Sequence, residues 1–184
     1  MKKNNLFIKK KDLQLLVNDH CVLRIITKKD ISNNYIRWMN DSEITKYTEQ
    51  RYQKHSSENI EMFIEDKLKS KLDLLFGIFF ENKHIGNIKL GPVKWEHLSS
   101  EISFFIGEKN FLGKGIMSAA VNKIVDFAFQ ELGLEKINAG YYEKNIASGK
   151  LFEKCGFNIE GVRDSNIIFE GKRIKSVLVG ILKK

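Results

Sequence analysis

The chain has few of the residues that build covalent or metal-held frameworks. Its 184 residues include two cysteines and four histidines. Cys21 and Cys155 are too few for a disulfide framework, and we interpret both as buried structural thiols, because neither stands beside a plausible base in the sequence. The histidines are scattered without ligand spacing, so we expect no metal site.

Long apolar runs and linker-like stretches are also lacking. No apolar run approaches the roughly 18 residues of a membrane span, and the charged N-terminus has no apolar core of a secretory signal. We therefore expect no membrane association and a cytoplasmic location. Proline occurs once, and no repeat or low-complexity tract divides the chain. We place an N-terminal extension at residues 1–19 and a single domain at residues 20–184.

Acidic residues are outnumbered, with 23 Asp and Glu against 31 Lys and Arg and a net charge of +8. Such an excess of positive charge can attract an anionic substrate or RNA. The lysines are spread along the chain, however, and no aromatic interleaving marks a nucleic-acid face. We interpret the charge as ordinary lysine-rich surface and expect no nucleic-acid partner.

The most informative segment runs from an apolar stretch through glycines into a helical pattern. Residues 102–106 are predicted to be a strand, and a helix is predicted from Ile116. Between them, Gly113 and Gly115 allow close approach of the backbone, and Lys114 adds a positive charge. Because the first N–H groups of a helix have no internal partners and attract anions, residues 111–116 are predicted to bind a pyrophosphate.

The spacing of this loop matches neither G-x-G-x-x-G nor G-x-x-x-x-G-K-[ST], which disfavours a dinucleotide fold and a P-loop. Taken alone, the glycines could also provide clearance between a helix and a strand. A second segment, residues 145–157, bears on this choice. Asn145 is a natural N-cap and Gly156 a natural C-terminal glycine of one helix.

Together the two segments resemble the GNAT acetyltransferase superfamily. The loop is similar to (Gln/Arg)-x-x-Gly-x-(Gly/Ala), with Asn110 where Gln or Arg is usual. Residues 145–157 are similar to Asn-x-x-Ser/Ala…Leu-(Phe/Tyr)-Glu-Lys-x-Gly-Phe. The resemblance extends from Val22 to about Leu182. Residues 22–24, 38–41 and 101–102 favour the branch with ribosomal-protein-alanine N-acetyltransferases and amino-sugar acetyltransferases.

This resemblance implies an α/β fold with a mixed, largely antiparallel central sheet flanked by helices. It also implies acetyl-CoA as co-substrate and no metal. The CoA-binding residues would be Phe111, Leu112, Gly113, Lys114, Gly115, Ile116 and Asn145, together with a backbone N–H near Phe105 or Ile106 that polarises the acetyl carbonyl.

For the chemistry, the resemblance makes Ser148 the candidate donor of a proton to the leaving thiolate. Tyr141 and Tyr142 are rival donors, and strand alternation directs only one of them towards the site. Glu101 is the candidate base, with a water chain, or an acceptor that is already deprotonated, as the alternative.

The acceptor pocket is expected in residues 38–52 and 89–95. Tyr47, Glu49 and Arg51 offer an aromatic ring, a carboxylate and a cation. They suit a nucleotide-linked amino sugar, since Arg pairs well with phosphate, and they suit a peptide N-terminus almost as well.

The sequence therefore predicts an acetyl-CoA-dependent N-acetyltransferase that uses direct transfer, with a nucleotide-linked amino sugar as the preferred acceptor. The alternatives are N-terminal acetylation of a ribosomal protein and a CoA-binding module without activity. A homodimer is left open.

Elsewhere the patterns predict local structure. Leu13, Leu15 and Leu16 favour an extra strand or helical turn at a sheet edge. Helices are predicted over residues 30–40 and from Ser56 or Ser57 to about residue 70, with a polar loop at 48–52. Strands are predicted at 74–80 and 85–93, and Gly86 marks close packing or a bulge.

Overall fold

A computed structural model describes residues 10–184 of the chain. Within them, eight strands form one sheet in the order β1-β2-β3-β4-β5-β6-β8-β7. The strands are β1 Gln14–Asn18, β2 Cys21–Ile25, β3 Leu74–Phe80, β4 Lys83–Leu90, β5 Ser99–Ile106, β6 Lys136–Tyr142, β7 Asn158–Phe169 and β8 Lys172–Leu182. All neighbours pair antiparallel except β5 and β6. The predicted mixed, largely antiparallel sheet is confirmed.

Helices cover both faces of the sheet. Among the described residues the α-helices are α1 Asn33–Asn40, α2 Ser42–Thr45, α3 Ser57–Lys69, α4 Ile116–Gln130 and α5 Ile146–Lys154. The main core lies between the sheet and α4 and α5, where Ile124 and Phe152 are buried. A second cluster lies on the opposite face, where Trp38 of α1 and Ile64 of α3 are buried. The sheet is thus a middle layer, and each face has its own apolar cluster.

The seam between β5 and β6 is short. The two strands pair in parallel at three positions only, from Ser99↔Lys136 to Glu101↔Asn138. Beyond them, β5 continues to Ile106 and β6 to Tyr142 without pairing to each other. The sheet therefore opens between the C-terminal ends of these two strands.

The extra element expected near Leu13, Leu15 and Leu16 is a strand, because β1 pairs with β2 and extends the edge of the sheet. Residues 1–9, the first half of the predicted extension, lie outside the described residues. Gly86 combines both of the expected features. The pairing of β3 with β4 shifts next to it, and a β-carbon there would overlap the carbonyl oxygen of Phe105.

Two predicted boundaries were wrong, and the predicted polar loop contains a short helical turn. The helix predicted over residues 30–40 begins at Asn33, because Thr27 caps a separate 3-10 turn and Ser32 caps α1. The strand predicted at 85–93 is β4, which ends at Leu90, since Pro92 has no N–H to continue a ladder. Residues 49–52 of the predicted loop form a 3-10 turn.

Candidate active site

A cleft of about 880 Å³ lies where the sheet opens. Its walls come from residues within 43–48, 104–106, 109–118 and 145–154. They belong to the α2 segment, the end of β5, the loop into α4, and α5. We call the wall made by Glu43, Ile44, Tyr47 and Thr48 the acceptor wall. The splayed strands and the start of α4 thus converge on one concave site, as expected for a ligand pocket.

Both glycines of the loop have a left-handed backbone conformation. Gly113 and Gly115 have φ of 73° and 77°, in the left-handed region that side chains with a β-carbon disfavour. No atom lies within 4 Å of a β-carbon built at either position, so the backbone conformation, rather than space, requires glycine. Gly115 is the N-cap of α4 and makes no side-chain cap. The first N–H groups of α4 are therefore open to an anion.

Lysines surround this helix start. Lys109, Lys150 and Lys154 line the cleft, and Lys114 lies over the ring of Phe111, with its Nζ 5.4 Å from the centroid. The only acidic residue among the lining residues is Glu43. This charge distribution suits a ligand that carries several phosphates.

The register of β5 decides which backbone groups face the opening. Gly91 N–H donates to Glu101 C=O and Gly107 N–H donates to Ile85 C=O, both at 2.8 Å. Odd-numbered residues of β5 thus direct their backbone groups towards β4. Because this direction alternates along a strand, the N–H of Ile106 faces the opening and that of Phe105 does not. Of the two predicted residues, the register favours Ile106.

Helix α5 holds Ser148 and Asn145 on the wall of the cleft. Asn145 caps the helix, because its Oδ1 accepts the N–H of Ser148 at 3.2 Å. The hydroxyl of Ser148 makes no hydrogen bond to another residue of the 10–184 range and is half-buried. It is thus free to donate to a group in the cleft.

Glu101 does not line the cleft. It lies near the start of β5, four residues and about 13 Å from Phe105 at the usual rise of a strand. Its side chain is 57% exposed, and a carboxylate oxygen lies 4.0 Å from Lys94 Nζ. The sequence placed Glu101 at the opening of the cleft, whereas the opening is at the other end of this strand. The role of base is still a prediction for Glu101, but this geometry does not support it.

The two tyrosines of β6 point to opposite faces. The ring of Tyr141 stacks on Phe152 with centroids 6.1 Å apart, on the side of α5. Tyr142 lies on the other side, where its hydroxyl donates to the Glu49 carboxylate and accepts from Arg51 Nη1 at 3.0 Å. Neither tyrosine lines the cleft.

The three residues predicted to bind the acceptor have different positions. Tyr47 lines the cleft, whereas Glu49 and Arg51 lie behind it. Arg51 also donates to the backbone oxygens of Lys46, Thr48 and Ile168 at 3.0–3.3 Å and to Tyr52 Oη at 2.6 Å. Both terminal nitrogens of its guanidinium are thus engaged by the protein.

Sequence reasoning missed residues that hold the two walls together. Trp38 Nε1 donates to Glu108 Oε1 at 3.2 Å, and Lys109 Nζ lies 2.9 Å from Asp41 Oδ2. The hydrogen bond from Lys83 holds the pKa of Glu108 below its usual value, and that from Lys109 does the same for Asp41. The Trp38–Asp41 segment stood out in the sequence, but nothing local indicated its partners.

A model of the acetyltransferase (GNAT) domain matches residues 20–158. The chain belongs to the GNAT acetyltransferase family. It is 34% identical over 109 residues to the probable N-acetyltransferase YjcK of Bacillus subtilis, a match that covers 58% of this chain and 60% of YjcK. It is 27% identical to the putative ribosomal N-acetyltransferase YdaF of the same organism, covering 91% of this chain and 94% of YdaF.

Solved structures share the fold. The spermidine N-acetyltransferase of Vibrio cholerae, in complex with CoA and spermine, superposes with a TM-score of 0.80 at 23% identity. That match covers 90% of this chain and 96% of the other. The predicted family is thus confirmed, and the chain is an acetyl-CoA-dependent N-acetyltransferase of the GNAT type. No helix within residues 10–184 is long and apolar enough to cross a membrane, and no metal-binding cluster of His, Cys, Asp or Glu occurs there.

Proposed function

We propose that the protein transfers the acetyl group directly from acetyl-CoA to a primary amine bound in the cleft. The observation that carries this proposal is the opening between β5 and β6 beside the uncapped start of α4. The amine nitrogen attacks the acetyl carbon, the C–S bond breaks, and the thiolate takes up a proton. Holding both reactants in one cleft supplies much of the rate.

Direct transfer is supported by the state of the two thiols. Burial raises the pKa of both Cys21 and Cys155, and neither lines the cleft. The Cys155 thiol donates to the backbone oxygen of Ser118 at 3.6 Å. A neutral, buried thiol is a poor nucleophile, so these two residues offer no route through an acetylated cysteine.

In the proposed mechanism, the N–H of Ile106 polarises the acetyl carbonyl and Ser148 donates to the leaving thiolate. For the amine, the distance of Glu101 from the cleft favours loss of the proton to water. Tyr142 is already engaged by Glu49 and Arg51, and Tyr141 does not line the cleft, which leaves Ser148 as the proton donor with the best access.

The preferred acceptor of the sequence analysis, a nucleotide-linked amino sugar, depended on Arg51 as a phosphate ligand. That acceptor is still a prediction, although Arg51 would have to leave its present partners to bind a phosphate. A specific observation favours a second candidate, an amine that carries further positive charge. Glu43 on the acceptor wall has no ion pair within the described residues, and it would attract such an amine. Two relatives are named for ribosomal and spermidine acetylation.

A panel of three amines tests the proposal. The wild-type protein is incubated with acetyl-CoA and a nucleotide-linked amino sugar, a peptide with a free N-terminus, or spermidine. Thiol release and product mass are then measured. Acetylation of any amine supports transfer. Acetyl-CoA binding without any product would instead support the alternative of a CoA-binding module without transferase activity.

Two substitutions then distinguish the acceptor classes. If the acceptor carries extra positive charge, Glu43→Gln should raise its KM and leave the Kd of acetyl-CoA unchanged. If the acceptor is nucleotide-linked, Arg51→Ala should raise its KM more than that of the same amino sugar without the nucleotide, by up to about 1.5–3 kcal/mol for a charged hydrogen bond to phosphate. Glu96→Gln, at an exposed turn away from the cleft, serves as a charge control for Glu43.

A further inference from the structure

The acceptor wall is tied to the distant half of the sheet by a group of side chains outside the cleft. We call Glu49, Arg51 and Tyr142 the latch. Tyr142 donates its hydroxyl proton to the Glu49 carboxylate and accepts from Arg51 Nη1 at 3.0 Å. Arg51 Nη2 also donates to the backbone oxygen of Ile168 in β7 at 3.3 Å. One tyrosine hydroxyl therefore contacts both a carboxylate and a guanidinium. The two groups belong to residues that are two apart on the segment behind the wall.

Ring packing supports the same attachment. Tyr47 stacks on Phe169 with centroids 5.3 Å apart and an interplanar angle of 19°, and its ring also meets the edge of Tyr142 at 6.4 Å. Tyr142 and Phe169 are 8% and 9% exposed and share a small cluster with Ile174. The segment that carries the acceptor wall thus packs against β6, β7 and β8.

The other end of the acceptor wall is held by the loop that leads into α4. Asp41 pairs with Lys109 at 2.9 Å and caps α2, because its Oδ1 accepts the N–H of Glu43 at 2.9 Å. The acceptor wall is therefore held at one end by the glycine loop and at the other end by the latch. Movement at either end would displace Tyr47 and Thr48, which line the cleft.

We propose that Tyr142 is a positioning residue for the acceptor amine. It acts through Glu49 and Arg51, which fix the backbone that presents Tyr47 and Thr48 to the cleft. It takes no part in proton transfer. This inference rests on the proposed transfer function, but the order of the wall segment can be measured without any acceptor.

The test substitution is Tyr142→Phe, which keeps the ring that packs on Tyr47 and removes only the hydroxyl. Glu49 and Arg51 then lose their common partner. Asp164→Asn is the matched control, because Asp164 forms an exposed ion pair with Lys175 across the β7–β8 hairpin at 3.0 Å and, within residues 10–184, makes no hydrogen bond or ion pair with the latch. Both variants are purified as the full chain and checked for folding by thermal unfolding.

Hydrogen exchange gives the first measurement. In the wild type, the amides of Thr48, Arg51 and Gln53 donate within the segment, to Thr45, Thr48 and Gln50. Tyr142→Phe should speed exchange of the peptides that cover residues 46–53 severalfold, and Asp164→Asn should not. Equal exchange in Tyr142→Phe and wild type would overturn the proposal, whether or not an acceptor has been found.

Kinetics with whichever of the three panel amines the wild type acetylates gives the second measurement. Tyr142→Phe should raise the KM of that amine by about three- to tenfold, within the range of one ordinary hydrogen bond, with kcat within about twofold and the Kd of acetyl-CoA unchanged. Glu49→Gln combined with Tyr142→Phe should add little, because the two residues share one interaction. A lower kcat at unchanged KM would overturn positioning and assign Tyr142 to proton transfer.

Discussion

The indole of Trp38 packs directly against the α-carbon of Gly107, so that a β-carbon at Gly107 would overlap the indole ring. Trp38 is 1% exposed, and its Nε1 also donates to Glu108. One buried ring of α1 therefore touches two successive residues at the start of the loop that leads into α4. The position of this loop therefore depends on its contact with α1.

Gly107→Ala should consequently destabilise the protein and weaken acetyl-CoA binding. The added methyl group displaces Trp38, and overpacking of this kind costs about 1–3 kcal/mol. Urea unfolding and acetyl-CoA titration measure the two effects. Gly140→Ala is the control, since the nearest atom to a β-carbon there is 3.4 Å away, and it should be much milder. Equal stability of the two variants would contradict the role of this contact.

A second prediction separates conformation from charge at Gly115. Gly115→Gln should cost about 1–2 kcal/mol for a left-handed residue, with a moderate loss of acetyl-CoA affinity. Gly115→Glu should bind acetyl-CoA at least about tenfold more weakly than Gly115→Gln, because a carboxylate would face the phosphates. Calorimetric Kd values decide this.

Gly133→Glu is the matched control for that charge. Gly133 has φ of 68° and open space around a β-carbon, but it follows the C-terminal end of α4. Acetyl-CoA affinity close to that of the wild type is expected for this variant. If Gly115→Glu also kept full affinity while folded, the pyrophosphate would have to bind elsewhere.

Ser148→Ala should slow turnover and leave acetyl-CoA binding largely intact, because a proton donor acts mainly in the transition state. A loss in kcat of about 10²-fold is typical of such a group. Stopped assays at saturating acetyl-CoA and a separate Kd measurement give the two quantities. Ser57→Ala, at the first residue of α3, serves as the control. A wild-type kcat would remove Ser148 from the mechanism.

Stability should fall in mild acid because of His84. Burial lowers the pKa of this imidazole, whose Nε2 lies 2.8 Å from Asn87 Oδ1 and whose buried Nδ1 has no hydrogen-bond partner among the described residues. The unfolded chain, with a His pKa of about 6.5, then binds the proton more readily than the folded chain. The free energy of unfolding should therefore decrease as the pH falls below about 6.5, by up to about 1.4 kcal/mol per pH unit.

Urea unfolding at pH 7.5, 6.5 and 5.5 measures this dependence. His84→Gln removes the titrating group, so its free energy of unfolding should change less over the same interval. His97→Gln, at an exposed turn, should keep the wild-type slope. Parallel slopes for His84→Gln and the wild type would exclude His84 as the source.

The features that sequence predicted well are those that depend on near neighbours. Gly113 and Gly115 precede a helical pattern, and Asn145 begins another, so each could be recognised within one turn of chain. Glu101 could not be placed, because which end of β5 meets the cleft depends on the pairing of β5 with β4 and β6. Arg51 presents the same difficulty: its charge was evident, but its partners Tyr142 and Ile168 come from distant strands.

The short seam between β5 and β6 also has a consequence for the order of folding. Strands β1 to β5 follow one another in both sequence and space, so this meander requires mostly contacts between successive strands. Parallel pairing of β6 needs the whole crossover through α4 and is expected to form later. The cleft that we propose binds acetyl-CoA lies at this junction. A chain emerging from the ribosome would therefore complete its meander first and acquire the ability to bind its co-substrate only when the last third had been made.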